Sequence, residues 1–262
     1  MKPAPIAAFG TTFQNPILLA AGTAGFGREI ARVIALDRLG GLITKAVSPE
    51  PRAGHPAPRV AEFEGGMLNA IGLANPGVDH VLRMDLPWLE ASVQGVRVIV
   101  NVVGSVLDDY VAVIRRLADA TIVTAFELNV SCPNTARGGE EFGADDQVLA
   151  DLVARCHAAT RKPLIAKLAP TLSDIARTAD AAARAGADGF SLVNTIPGTL
   201  WGSNGAKRTP RLGYGQGGVS GPALLAVGVL ATRRVVERTG RPVIGMGGIR
   251  TPEDVEQYLA AG

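Results

Sequence analysis

The segment ELNVSCPNTARGG, residues 127–139, changes character at Cys132, where an apolar run gives way to Pro133, Asn134 and then glycine. A thiol placed at such a junction can serve as base or nucleophile, since cysteine is partly thiolate near neutral pH. Other apolar runs end in a comparable way. Their ends carry Thr44 and Lys45, Asn101, Asn129 with Ser131, Lys167, Asn194 and Thr195, and Gly247 with Gly248. An asparagine amide both donates and accepts, so three of them can read a planar ring bearing amide groups. A lysine beside them supplies fixed positive charge for a carboxylate, or for charge developing on a ring. Each residue alone has a plainer reading, as a solvated rim lysine or a turn-forming asparagine. Their coincidence at six strand ends carries the inference. Gly245, Gly247 and Gly248 of IGMGGIRTPED would turn backbone N–H groups toward a phosphate. Cys156, inside a helical pattern, is expected to be packed, and His55, His80 and His157 show no metal-ligand spacing.

The elements that position these residues are short apolar runs at 16–22, 40–46, 97–104, 125–131, 163–169, 189–195 and 242–248. They are continuous rather than alternating, as in strands covered on both faces. Helical patterns lie between them, near 28–36, 108–118, 147–160, 173–185, 223–238 and 253–261. Ser173 is the expected N-cap of one, and Thr251 of another, with Pro252 in its first turn. Seven βα units in 262 residues predict an α/β fold, a TIM (β/α)8 barrel, with a doubly wound sheet as the second choice. The eighth βα unit has no counterpart, so one barrel domain over residues 1–262, shortened at its C-terminal side, is expected. Such a barrel would expose the edges of its first and seventh strands. The connections 47–67 and 196–218, rich in Gly, Pro and Arg, are long enough to be lids or binding surfaces.

Composition narrows the function. With 47% hydrophobic and 19% charged residues the chain can build a large core, which excludes global disorder. A net charge of +2 and 5% aromatics leave no basic stripe with stacking platforms, which argues against nucleic acid. No run approaches the roughly 18 apolar residues of a membrane span, and the N-terminus lacks a secretory apolar region, so a cytoplasmic protein is expected. Two cysteines can build neither a disulfide framework nor a four-thiolate cluster.

Four motifs, GGMLNAIGLANPG (65–77), NVSCPNT (129–135), GGVSGPA and GMGGI, resemble those of the dihydroorotate dehydrogenases, most closely the class 1B catalytic subunits. The similarity runs from about residue 15 to the last residue. The resemblance implies FMN on a TIM barrel and oxidation of dihydroorotate to orotate in pyrimidine biosynthesis. It implies Cys132 as the base for the C5 proton, with FMN accepting the C6 hydride. Substrate contacts implied by motif are Lys45, Asn69, Ala70, Ile71, Gly72, Leu73, Asn129, Asn194 and Thr195. The implied FMN contacts are Ala21, Gly22, Thr23, Lys45, Ala46, Asn101, Asn129, Lys167, Val193, Gly221, Gly247 and Gly248. Glycines after Cys132 would let that loop close over substrate. The resemblance further implies a homodimer core joined to an electron-transfer subunit bearing FAD and a 2Fe–2S cluster, with NAD as the acceptor. The alternatives are a class 1A-like homodimer using fumarate and a related FMN dihydropyrimidine dehydrogenase. More distant are a Schiff-base lyase using Lys45 or Lys167, and a non-catalytic scaffold.

Overall fold

The computed structural model describes residues 4–131, 133–134, 140–204 and 207–262. Its centre is one sheet of seven parallel strands: β1 (Leu18–Leu19), β2 (Gly41–Ile43), β3 (Arg97–Val102), β4 (Val123–Asn129), β5 (Leu164–Leu168), β6 (Gly189–Leu192) and β7 (Val243–Gly245). The strands neighbour one another in chain order, the arrangement of a (β/α) barrel. Six fall within the apolar runs expected to form them, and β4 overlaps its run but starts two residues earlier, at Val123. Among the described residues, the outer edges of β1 and β7 pair with no further strand.

Two cores flank the sheet. Ile43, Ile99, Ala125 and Ile165, from successive strands, cluster with Met246 on the inner side, and Phe9 and Phe13 join them. Those two rings meet edge to face at a 6.3 Å centroid separation. They come from an N-terminal hairpin, Ile6–Ala8 with Thr11–Phe13, that plugs the barrel floor. The outer core lies between the sheet and helices α1 (Leu86–Ser92), α2 (Leu107–Leu117), α3 (Asp146–His157), α4 (Ile175–Arg184) and α5 (Leu224–Thr239). A further helix, α6 (Pro252–Ala260), packs against α5. Cys156 of α3 is fully buried, and burial pushes its thiol up to about 12. Among the described residues no helix is long and apolar enough to cross a membrane.

Helix starts follow local chemistry. Asp145 accepts from the amides of Gln147 and Val148 to open α3. Thr251 and Asp254 form a reciprocal capping box at α6, with Pro252 at its first turn, as expected. The cap of α4 is Asp174 rather than Ser173: its carboxylate accepts from the Arg177 amide at 3.0 Å, and a carboxylate also favours the positive helix end. The helix expected over 28–36 is two short 3-10 turns instead, Ile30–Arg32 and Leu36–Arg38. Neither has a side-chain cap, and β-branched Ile30, Val33 and Ile34 disfavour a longer helix. A helical stretch the sequence pattern missed runs Val78–His80, through a π turn Val81–Asp85, into α1. Pro87 resembles a breaker there; it stands directly after the π turn, where the helical hydrogen-bond register changes.

The two long connections are structured. Val60–Phe63 and Gly66–Asn69, after β2, join Ile196–Gly198 and Gly217–Ser220, after β6, in a four-stranded antiparallel sheet. A separate hairpin, Trp201–Asn204 with Lys207–Pro210, projects from the second connection. The sheet ties two distant βα connections together on the side of the barrel where parallel strands end.

Candidate active site

Beneath that antiparallel sheet lies a cavity of about 500 Å³. Its lining contains Asn69, Ala70, Ile71, Gly72 and Leu73 from the first connection, Asn129 and Ser131 at the end of β4, and Asn194 and Thr195 after β6. Eight of the nine residues expected to touch substrate thus share one space; Lys45, half-buried just beyond β2, is the one outside this lining. The amide of Asn69 donates to the Gly218 carbonyl at 3.2 Å, across the antiparallel sheet. Asn194 Oδ1 accepts from the Thr195 amide at 2.8 Å. Tyr110 Oη donates to the Asn129 carbonyl at 2.8 Å, bracing that strand end from α2. Asn129 Oδ1 and Ser131 Oγ are buried without a hydrogen-bond partner among the described residues. Cys132 and residues 135–139 lie outside the described residues, so the expected base and its closing loop are not placed.

Deeper in the barrel is a polar layer that a continuous apolar pattern hides. Strand register sets Asn101 of β3 beside Glu127 of β4, and Lys167 of β5 between Asn129 and Ser191. Glu127 is fully buried. Its Oε1 accepts from Asn101 Nδ2 and its Oε2 from Ser191 Oγ, both at 2.5 Å. Lys167 Nζ stands 3.8 Å from Oε1, with its side chain only 7% exposed. An isolated buried charge is penalised by several kcal/mol, and breaking a buried pair costs roughly 3–5 kcal/mol, so these four residues hold together as a unit. Asn101 and Lys167 were expected from the sequence; Glu127 and Ser191 were not. The available signal was a carboxylate inside the run AFELNVS.

The remaining expected cofactor residues surround this layer unevenly. Ala46 and Val193 are buried at the ends of β2 and β6. Ala21, Gly22 and Thr23 form a turn after β1, with Thr23 Oγ1 donating to the Ala20 carbonyl at 2.6 Å. Thr23, Gly247 and Gly248 line a second cleft of about 530 Å³, between β1 and β7. Gly247 and Gly248 take φ of 106° and 76°, a conformation that other residues adopt only under strain. Gly221 lies against the backbone of Gly65 and Gly66. Tyr258 of α6 shares its one hydroxyl proton between the carbonyls of Met246 and Gly247, at 2.7 and 2.9 Å, and burial pushes its phenol up to about 12. These features fit a planar ring with amide edges and a phosphate tail such as FMN. Asn101 Oδ1 and Asn129 Oδ1 are buried acceptors without a partner among the described residues, an ammonium stands close by, and a glycine turn opens beyond β7. Arg52, His55, Tyr214 and Gln216 also line the 500 Å³ cavity, and the sequence pointed to none of them as a site residue.

A parallel sheet in barrel order, with polar strand ends gathered under connections from its carboxyl side, defines an α/β-barrel enzyme. Comparison with known proteins narrows the class. The family profile described as dihydroorotate dehydrogenase matches residues 5–262. The chain is 45% identical over 253 residues to the dihydroorotate dehydrogenase B (NAD(+)), catalytic subunit, of Bacillus thuringiensis (strain Al Hakam), covering 97% of this chain and 81% of that one. The same identity and coverage hold for the protein of that name from Bacillus cereus (strain G9842). The chain belongs to the dihydroorotate dehydrogenase family, whose members are FMN-dependent oxidoreductases.

Proposed function

We propose that this chain is the catalytic subunit of a dihydroorotate dehydrogenase that oxidises dihydroorotate to orotate in pyrimidine biosynthesis. The observation carrying this reading is the convergence of Asn69, Asn129, Asn194 and Thr195 on one cavity, in a chain of this family. Their amides and hydroxyl can satisfy the ring amides and carboxylate of the substrate, which disfavours a ring lacking those groups. Lys45 adds positive charge at the substrate's edge, and residues 69–73 offer backbone groups to it.

Cys132 takes the proton from C5. A free thiol near pKa 8.5 is only a few per cent thiolate at neutral pH, so turnover rises toward alkaline pH unless the site favours the thiolate. FMN, when bound, supplies the acceptor for the hydride leaving C6. Asn101, Asn129, Lys45, Ala46, Lys167 and Val193 would hold its ring. Ala21, Gly22, Thr23, Gly221, Gly247 and Gly248 would hold the rest. Lys167 would hold an ammonium near the ring, a charge that favours its reduced form. The antiparallel sheet over the cavity excludes water from the reacting carbons.

The assembly we propose is a homodimer core joined to an electron-transfer subunit that carries FAD and a 2Fe–2S cluster, with NAD as final acceptor, in the cytoplasm. The words NAD(+) and catalytic subunit in the relatives' names support the NAD acceptor and a separate partner subunit. The test is an anaerobic absorbance spectrum of the FMN-loaded chain before and after dihydroorotate. Bleaching of the flavin band, abolished by Cys132→Ala, is expected. A flavin that binds and stays oxidised would mean that the cavity reads another ring.

A further inference from the structure

We infer that Glu127 is a positioning residue of the cofactor site, orienting the Asn101 amide so that it meets the bound ring as a hydrogen-bond acceptor. The inference rests on the FMN reading above and goes one residue deeper than its contact set.

An amide side chain can present either of its two ends, and a neighbour that only accepts removes the choice. An ionised carboxylate is such a neighbour. Glu127 Oε1 takes the Asn101 Nδ2 hydrogen at 2.5 Å, leaving Oδ1 as the end turned elsewhere. Asn101 Oδ1 is buried and has no hydrogen-bond partner among the described residues. A buried acceptor left open in this way calls for a donor, and a ring N–H is the donor that FMN offers. Glu127 cannot swing away to release the amide. Ser191 Oγ donates to Oε2 at 2.5 Å from β6, Lys167 stands 3.8 Å from Oε1, and the carboxylate is fully buried. Both carboxylate oxygens accept, and Lys167 brings a positive charge into the same layer, so Glu127 meets Asn101 as an acceptor. The carboxylate itself touches no substrate in this arrangement; it acts through Asn101.

The test is FMN binding by the apo chain, followed through quenching of flavin fluorescence, in a double-mutant cycle of Glu127→Gln and Asn101→Ala. Gln keeps the shape of Glu and adds an NH2 that can face Asn101, so the amide is free to turn. Glu127→Gln is expected to weaken FMN binding about tenfold, the scale of one charged hydrogen bond. In the Asn101→Ala background the same change is expected to have little effect, because the residue through which it acts is gone. Thermal unfolding of each apo variant separates this from a loss of fold. Wild-type-like affinity in Glu127→Gln, or losses that simply add in the double variant, overturns the inference. Failure of the wild-type chain to bind FMN overturns the cofactor reading itself, and this inference with it. Should Glu127→Gln not fold, Ser191→Ala replaces it: freeing Oε2 while keeping the charge is expected to weaken FMN about threefold, and unchanged affinity there is equally fatal.

Discussion

The imidazole of His55 and the phenol ring of Tyr214 lie parallel, 5° apart, with centroids separated by 3.7 Å. His55 belongs to the connection after β2 and Tyr214 to the connection after β6, so the stack clamps the two segments that roof the cavity. The imidazole also lies close to Gly72, where a Cβ would come within 2.7 Å of the ring, and the His55 amide donates to the Ile71 carbonyl at 3.2 Å. The backbone proposed to meet the substrate is therefore braced through His55 by Tyr214.

Tyr214→Ala removes the outer ring of that clamp. A stacked aromatic pair contributes about 0.5–1.5 kcal/mol, so KM for dihydroorotate should rise about 2- to 10-fold while kcat changes little. Tyr214 is 52% exposed, and the thermal midpoint should hardly move. Steady-state kinetics of Tyr214→Ala and Tyr214→Phe decide it: Phe should restore KM, and a kcat loss without a KM change would count against the clamp.

The two cysteines should differ sharply toward thiol reagents. Cys156 is fully buried, its thiol pushed up to about 12 by desolvation. If Cys132 is the base, it must be reachable and partly thiolate. The native chain should then release one equivalent of chromophore from a disulfide reagent near neutral pH, and two once unfolded. Cys132→Ala should bring the native value to zero. A native chain that reacts at neither cysteine would argue against Cys132 as an accessible base.

How much of this could be read from the chain alone depends on the range of the interaction. The seven strands were legible because each is a continuous apolar run, the pattern that burial on both faces demands. The strand-end asparagines and lysines were legible because such a run stops where chemistry begins. Glu127 and Ser191 were not, since what makes a buried carboxylate tolerable comes from β3, β5 and β6 rather than from its own segment. The same holds for His55 and Tyr214, whose meeting depends on an antiparallel sheet built from two distant connections. Local patterns also misjudged residues 28–36, where apolar spacing suggested a helix that lacked a cap.

Asp85 offers a test of buried charge away from the cavity. Its Oδ2 is buried without a hydrogen bond, and burial raises its pKa above the usual carboxylate range, only partly countered by His80 and Arg28 at 3.7 and 3.5 Å. A carboxyl whose folded pKa is raised favours folding while protonated, and loses that contribution as pH rises through the folded value. Asp85→Asn should therefore unfold at a higher temperature than wild type at neutral pH, with the gap closing as pH is lowered toward the unfolded carboxylate range. A variant less stable at neutral pH would mean that the Arg28 contact outweighs burial.

Tyr258 joins stability to the glycine turn proposed for the cofactor. Its hydroxyl lies against Gly228 and its ring against Gly245, where a Cβ would come within 2.0 Å of the oxygen and 2.2 Å of the ring. Its hydroxyl holds the carbonyls of Met246 and Gly247. Phe fills the same space but leaves the Gly247 carbonyl short of a donor, while Met246 keeps the Val193 amide at 3.1 Å, a loss of about 1–3 kcal/mol. With the folded phenol raised to about 12 against an ordinary value of about 10, its contribution is fully present below about pH 10 and is lost as pH climbs toward about 12. Tyr258→Phe should thus be less stable than wild type near about pH 8 and approach it near about pH 11 in chemical denaturation. FMN affinity should fall along with stability, because Gly247 loses the contact that fixes its carbonyl. Unchanged FMN affinity in a destabilised Tyr258→Phe would place the cofactor's phosphate away from this turn.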